Sequence, residues 1–200
     1  NNEGKIVIGW GGSLSHYDSW VGSGILGAVE YLDLHYPNVW WKICGGDDKI
    51  FDLLPTERKI RQPGVPPSEW PKIVRSFDIG VAPLSGLYDQ YRSWIKGIEY
   101  ALAGVPWVGT EGETYGDLAE WGTLGPEKPE FWKKALETII QEVETFQDGA
   151  EKRREQARQA FLIDNQMEVF ADVYGRILSD FQDNVTELPG VIYLEQSQDT

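Results

Sequence analysis

One cysteine and two histidines are all that this 200-residue chain has to offer a disulfide or a thiol- or imidazole-based metal site. Cys44 has no internal partner, which fits a reducing cytoplasm. Its place in the apolar run Val39-Trp-Trp-Lys-Ile-Cys44 marks a small buried core residue. Neither CxxC nor HExxH spacing occurs, so no metal site is expected. Cations are scarce too. Lys and Arg total 18 against 32 Asp and Glu, a formal charge of −14, which argues against nucleic acid or an anionic membrane surface as a generic partner. Neither a signal peptide nor an apolar stretch long enough to span a bilayer is expected from this sequence. The dinucleotide pattern GxGxxG is not met, because the sixth position counted from Gly9 is Leu14, and there is no Walker loop. A nicotinamide-dependent dehydrogenase is thereby disfavoured.

What the chain does have is apolar mass. Hydrophobic residues make up 41% and aromatics 12%, enough for a substantial core and far from a disordered profile. The length suits one domain of good size or two small ones.

Strand and helix patterns alternate along it. Lys5-Ile-Val-Ile-Gly-Trp10 reads as a buried strand, and its abrupt start after Asn1 reads as a domain cut from a longer chain. A glycine turn, Gly11-Gly-Ser-Leu-Ser-His16, leads to one helix over residues 20–34. Val39–Cys44 is the second strand and Lys59-Ile-Arg-Gln62 a shorter third, followed by the turn Pro63-Gly-Val-Pro-Pro67. Ser68 caps a segment that leads into a strand over Phe77–Leu84. Helices are expected over Glu130–Phe146, Ala150–Leu162 and Asn165–Phe181, each with an apolar stripe or, for the second, a solvated charge run. The fold class is therefore α/β, with a Rossmann-like parallel sheet covered by helices on both faces. The expected domain spans residues 1–184, with 185–200 as a C-terminal tail.

Two stretches carry chemistry. In the first, strand, glycine turn and helix form a phosphate cradle in which Gly11, Gly12 and Ser13 allow close backbone approach and His16 stands at the helix entrance. In the second, Arg92-Ser-Trp-Ile-Lys-Gly-Ile-Glu-Tyr-Ala-Leu-Ala-Gly-Val-Pro106 reads as a helix with Ile95, Ile98 and Leu102 on its apolar side, stopped by Gly104 and followed by the strand Val105–Val108. Arg92, Ser93, Lys96 and Glu99 fall on its first two turns. Two cations and a hydroxyl near a helix N-terminus suit phosphate oxygens, and a carboxylate one turn on suits a pair of sugar hydroxyls. Periodicity alone is equally met by a solvated face with a Lys96/Glu99 pair. His16 is equally a capping residue, Glu111 and Glu113 solvated loop residues, and Asp47-Asp48 a solvated turn.

Together, Ile8-Gly-Trp-Gly-Gly-Ser-x-Ser-His-x-Asp18 and Arg92-Ser-x-x-Lys-x-x-Glu-Tyr-x-x-x-Gly-x-Pro106 resemble the donor-binding signature of the GT-B glycosyltransferases, specifically their large group 1 set. The resemblance runs over roughly residues 5–181. It implies the C-terminal, nucleotide-sugar-binding half of such an enzyme. Lys96, with Arg92, Ser93, Gly11, Gly12, Ser13 and His16, would hold the donor diphosphate, and Glu99 the ribose. Gly64 and Val65 would lie beside the base. Many members carry another glutamate eight positions before the ribose one, where this chain has Tyr91.

The same resemblance implies transfer of a sugar from a UDP- or GDP-type donor to an acceptor bound by a missing N-terminal domain. No metal or other cofactor is expected. A cytoplasmic location follows, with any peripheral membrane attachment made through the missing domain. A non-catalytic sugar-nucleotide-binding module and a GT-B-like sugar-nucleotide epimerase remain the alternatives.

Overall fold

In the computed structural model, which describes residues 4–45 and 48–185, the chain divides by contacts into two units, residues 1–160 and 161–200. The first unit contains, in order, β1 (Ile6–Gly11), α1 (Tyr17–Gly22), α2 (Ile25–His35), β2 (Val39–Cys44), α3 (Asp48–Leu53), β3 (Lys59–Gln62) and α4 (Trp70–Val74). It continues with β4 (Ile79–Ala82), α5 (Ile95–Ala103), β5 (Trp107–Thr110), β6 (Thr123–Gly125), α6 (Pro129–Gln141), α7 (Val143–Asp148) and α8 (Ala150–Phe161). Within the second, the described residues form chiefly α9 (Met167–Val185). The expected tail beyond Val185 falls outside the described residues, as does Asp47.

All strand pairs are parallel, in the order β3-β2-β1-β4-β5-β6. The chain builds outward from β1 to β3 and then returns to the other side of β1 to start β4. This reversal leaves a crevice beyond the carboxyl ends of β1 and β4, where ligands bind in doubly wound sheets. β4 and β5 are buried at every position, as expected for parallel strands covered on both faces.

Alternation along β1 separates the two faces. Ile8 and Trp10 join Trp20, Ile25, Val29, Trp41, Ile79, Val81 and Trp132 in one continuous core. Gly9 and Gly11 point the other way, where a Cβ would fall 2.1 Å from the ring of Phe77 or Trp70, respectively. Those glycines admit the aromatic layer under α4 and α5.

Several boundaries depart from the sequence reading. The helix expected over 20–34 is broken after α1, because Gly24 adopts φ 85° and lies against Pro129 at the start of α6. Strand β4 is shorter at both ends than the expected 77–84, β5 is shifted two residues on from the expected 105–108, and the helix expected over 130–146 breaks at Glu142. β6 and α3, not expected, are short elements whose formation depends on neighbours: β6 completes the ladder on β5, and Asp48 at the start of α3 pairs with Arg61 of β3.

The largest change concerns α5. It starts at Ile95, so Arg92 and Ser93 precede it, with Arg92 extended at φ −75°, ψ 160°. Its buried face is not Ile95, Ile98 and Leu102. Ile95 is 59% exposed, whereas Lys96, Gly97, Tyr100, Ala101 and Ala103 are buried. Gly97 lets the helix approach Trp107, and the Tyr100 hydroxyl donates to Val81 O at 2.9 Å. Close backbone approach and one buried hydrogen bond outweigh the burial of an isoleucine.

Candidate functional site

At the carboxyl end of β1 the Gly12 amide donates to Cys44 O at 3.0 Å, extending the ladder to β2 by one residue. That amide is committed to the sheet. Gly45, at φ 147°, sits so close beneath the turn that a Cβ there would approach Gly12 O to 2.1 Å. The turn is thus held flat against the sheet edge, and Ser13 bonds only to Ser15 Oγ at 2.9 Å through its side chain.

Into this edge α5 projects Lys96 from its first turn. The ammonium donates to Gly11 O and lies 5.0 Å from the Trp10 ring centroid. Burial lowers its pKa to about 8, with Glu99 opposing and Arg92 adding to the shift. It does not turn back into a close ion pair with Glu99. The solvated-pair reading of this helix face therefore does not describe the fold.

Arg92 approaches from the loop before α5. It donates through Nε to Asp89 and through its terminal nitrogens to Ser15 O and to Ser15 Oγ, the latter at 3.4 Å, while its guanidinium lies 4.8 Å from the Tyr88 centroid. His16 Nε2 is 3.5 Å from the same guanidinium, and Nδ1 has no hydrogen-bond partner. Burial, then Lys96 and Arg92, push the His16 pKa down to about 3, so the imidazole is neutral.

Asp89 is the residue that the sequence reading passed over. It is 4% exposed, and its Oδ2 accepts from Ser19 Oγ at 2.6 Å and from the Ser85 amide at 2.7 Å. Burial opposes its charge, but the bonds from Ser19, Arg92 and Ser85 prevail and hold its pKa below the usual value. Its three-residue spacing to Arg92 was the available signal. The ring of Trp70 lies over Gly11, and its side chain bonds Glu99.

Two cavities are tied together by the Lys96–Gly11 hydrogen bond, Gly11 lining one and Lys96 the other. The larger, about 630 Å³, is lined by Gly11, Gly12, Gly64, Val65, Trp70 and Glu99 among others. Burial raises the Glu99 pKa, against Lys96 and Trp70. The smaller, about 290 Å³, is lined by His16, Arg92, Ser93, Lys96 and three tyrosines. All the expected site residues except Ser13 border one cavity or the other. A half-buried carboxylate thus stands in a mainly apolar cleft, and two cations and a neutral imidazole stand in a pocket beside it. Among the described residues no cluster of three or more His, Cys, Asp or Glu could hold a metal ion, and no helix is long and apolar enough to cross a membrane.

No protein-family profile matches the chain, and no curated protein matches it in sequence. Solved structures do match in fold. Anabaena HepE, solved with UDP-glucose, superposes with a TM-score of 0.64 at 20% identity, covering 86% of this chain and 50% of HepE. Sucrose-phosphate synthase from Thermosynechococcus elongatus gives 0.64 at 15% identity, over 90% and 47% of the two chains. WaaG, a glycosyltransferase involved in lipopolysaccharide biosynthesis, gives 0.60 at 17%, over 78% and 43%. The fold is that of a GT-B glycosyltransferase domain. This GT-B-like domain spans about half the length of the structures it matches. At such identities the likeness is one of fold, so what the domain binds has to be argued from its own residues.

Proposed function

We propose that the chain is the donor-binding half of a glycosyltransferase that moves a sugar from a nucleoside-diphosphate sugar to an acceptor held by a second domain. The single observation that carries the reading is the placement of Lys96 and Glu99, one helical turn apart, each lining one of two cavities whose walls are joined by the Lys96–Gly11 bond at the β1/β4 crevice. The carboxylate borders the roomier, more apolar cleft, which suits a nucleoside whose ribose hydroxyls donate to Glu99. Lys96 and Arg92 border the pocket that suits a diphosphate. HepE, with its UDP-glucose, makes a uridine donor the first to test.

Breaking a glycosidic bond to a diphosphate develops negative charge on the leaving group, so fixed cations at that position lower the barrier. Lys96 and Arg92 provide them without reorganisation, because Gly11, Asp89 and Ser15 already hold them. Diphosphate oxygens would also favour the ammonium form of Lys96 over its neutral form. Acceptor binding and any catalytic base come from the partner domain, since positioning two reactants in one cleft needs both walls.

Calorimetry with UDP-, GDP-, ADP- and TDP-sugars, and NAD as control, tests the reading. Binding of at least one sugar nucleotide and none of NAD is expected. NAD binding without any sugar nucleotide would overturn it. Tyr91, 83% exposed where many group 1 members have glutamate, favours one second reading, a binding module without turnover. Turnover by the chain joined to its partner domain excludes that module.

A further inference from the structure

The loop after β5 brings one more polar group to the smaller cavity. Thr114 Oγ1 donates to Asp89 O at 2.7 Å, which ties this loop to the segment that carries Arg92. The next residue, Tyr115, is fixed at both ends of its backbone: its amide donates to Gly112 O at 3.2 Å and its carbonyl accepts from the Leu118 amide at 2.8 Å. Its ring stands edge-on to Trp107, with centroids 5.4 Å apart. The side chain is 1% exposed, yet it lines the 290 Å³ cavity with His16, Arg92 and Lys96.

Nothing in the described residues accepts a hydrogen bond from its hydroxyl. A donor at a cavity wall that no protein group satisfies is free to bond a ligand there. The cavity has two cations in its lining and no carboxylate. A ligand rich in acceptors and carrying negative charge is what such a lining lacks.

We propose that Tyr115 is a binding residue of the diphosphate pocket, donating its phenolic hydrogen to a β-phosphate oxygen of the bound nucleoside diphosphate beside Lys96 and Arg92. The inference rests on the donor-site reading above and adds a neutral donor from a third loop. Burial, and after it the Asp89 carboxylate, raise the phenol's pKa, so it remains a donor throughout the range in which Lys96 titrates. Its contribution is therefore constant with pH while that of Lys96 is not.

The test is Tyr115→Phe in the full chain, which keeps the ring against Trp107 and removes only the oxygen. Calorimetry with UDP, UMP and uridine is paired with the thermal unfolding midpoint of the ligand-free protein. A hydrogen bond to a charged acceptor predicts that UDP binding weakens roughly ten- to a hundredfold. UMP and uridine binding, and the unfolding midpoint, stay as in the parent, and the UDP loss is the same at pH 7 and pH 9. Unchanged UDP affinity overturns the inference while leaving the donor site standing. An equal loss for UMP overturns the β-phosphate assignment, and a lowered midpoint overturns it in favour of a structural hydroxyl. A parent that binds none of the three ligands sinks the donor-site reading and this inference with it.

Discussion

Arg92 lies three residues beyond Asp89, and its Nε donates to a carboxylate that is itself 4% exposed and bonded to Ser19 and to the Ser85 amide. One buried charge thereby fastens α1 to the loop before α5 and aims the guanidinium at the smaller cavity.

Asp89→Asn tests that relation. The amide oxygen can still accept from Ser19 and Ser85, but its NH2 would meet a donor on Arg92. UDP affinity should fall by about 1.5–3 kcal/mol, the range for hydrogen bonds to charged groups, with uridine affinity unchanged. Equal losses for UDP and uridine would mean that the carboxylate supports the whole fold rather than Arg92.

Lys96 should trade stability for binding. Its folded pKa of about 8 lies below the ordinary 10.5. Between those values the unfolded chain binds more protons than the native one, so stability rises with pH across the window from 8 to 10.5 and the burial penalty is complete below pH 8. The shift corresponds to about 3 kcal/mol, reduced in Lys96→Met by loss of the Gly11 bond. Urea unfolding at pH 7 should show Lys96→Met more stable than the parent by about 1–3 kcal/mol, while UDP binding collapses. In the parent, UDP affinity should decline as pH climbs past 8. A less stable Lys96→Met would argue against a buried charge at this position.

Glu99→Ala should weaken UDP binding by about 1.5–3 kcal/mol if the carboxylate accepts from ribose hydroxyls. The decisive comparison is with 2′-deoxy-UDP, which loses much of that contact beforehand. Removing the carboxylate should therefore change 2′-deoxy-UDP binding far less. Equal losses for both nucleotides would assign Glu99 to holding Trp70 in place.

Divalent metal should not be needed for donor binding, because Lys96 and Arg92 already face the pocket and are held there by protein oxygens. Calorimetric UDP affinity should be the same with EDTA as with magnesium. A large loss on chelation would remove the metal-free reading and redirect attention to acidic residues such as Glu111 and Glu113.

Much of this was written in local patterns. Apolar runs at β1, β2 and β4 and the spacing of strands and helices require a parallel sheet, because such strands cannot be left half-solvated. The glycine turn and the Arg92–Glu99 segment could be assigned to one end of that sheet because a βα unit always places them there. What could not be read is which way α5 faces. Ile95, Ile98 and Leu102 have the better apolar period, yet Gly97, Tyr100 and Ala101 are buried, because a helix without bulk at 97 and 101 can come closer to β4 and β5. That rotation carries Lys96 inside and lowers its pKa. The partners of Arg92, the ring of Trp70 over Gly11 and the unpartnered hydroxyl of Tyr115 likewise belong to residues distant along the chain. Local sequence determined that this is a parallel α/β domain with a cationic turn and a carboxylate at its edge. Only the tertiary packing decided which of those charges are buried, and so which of them are poised for a ligand.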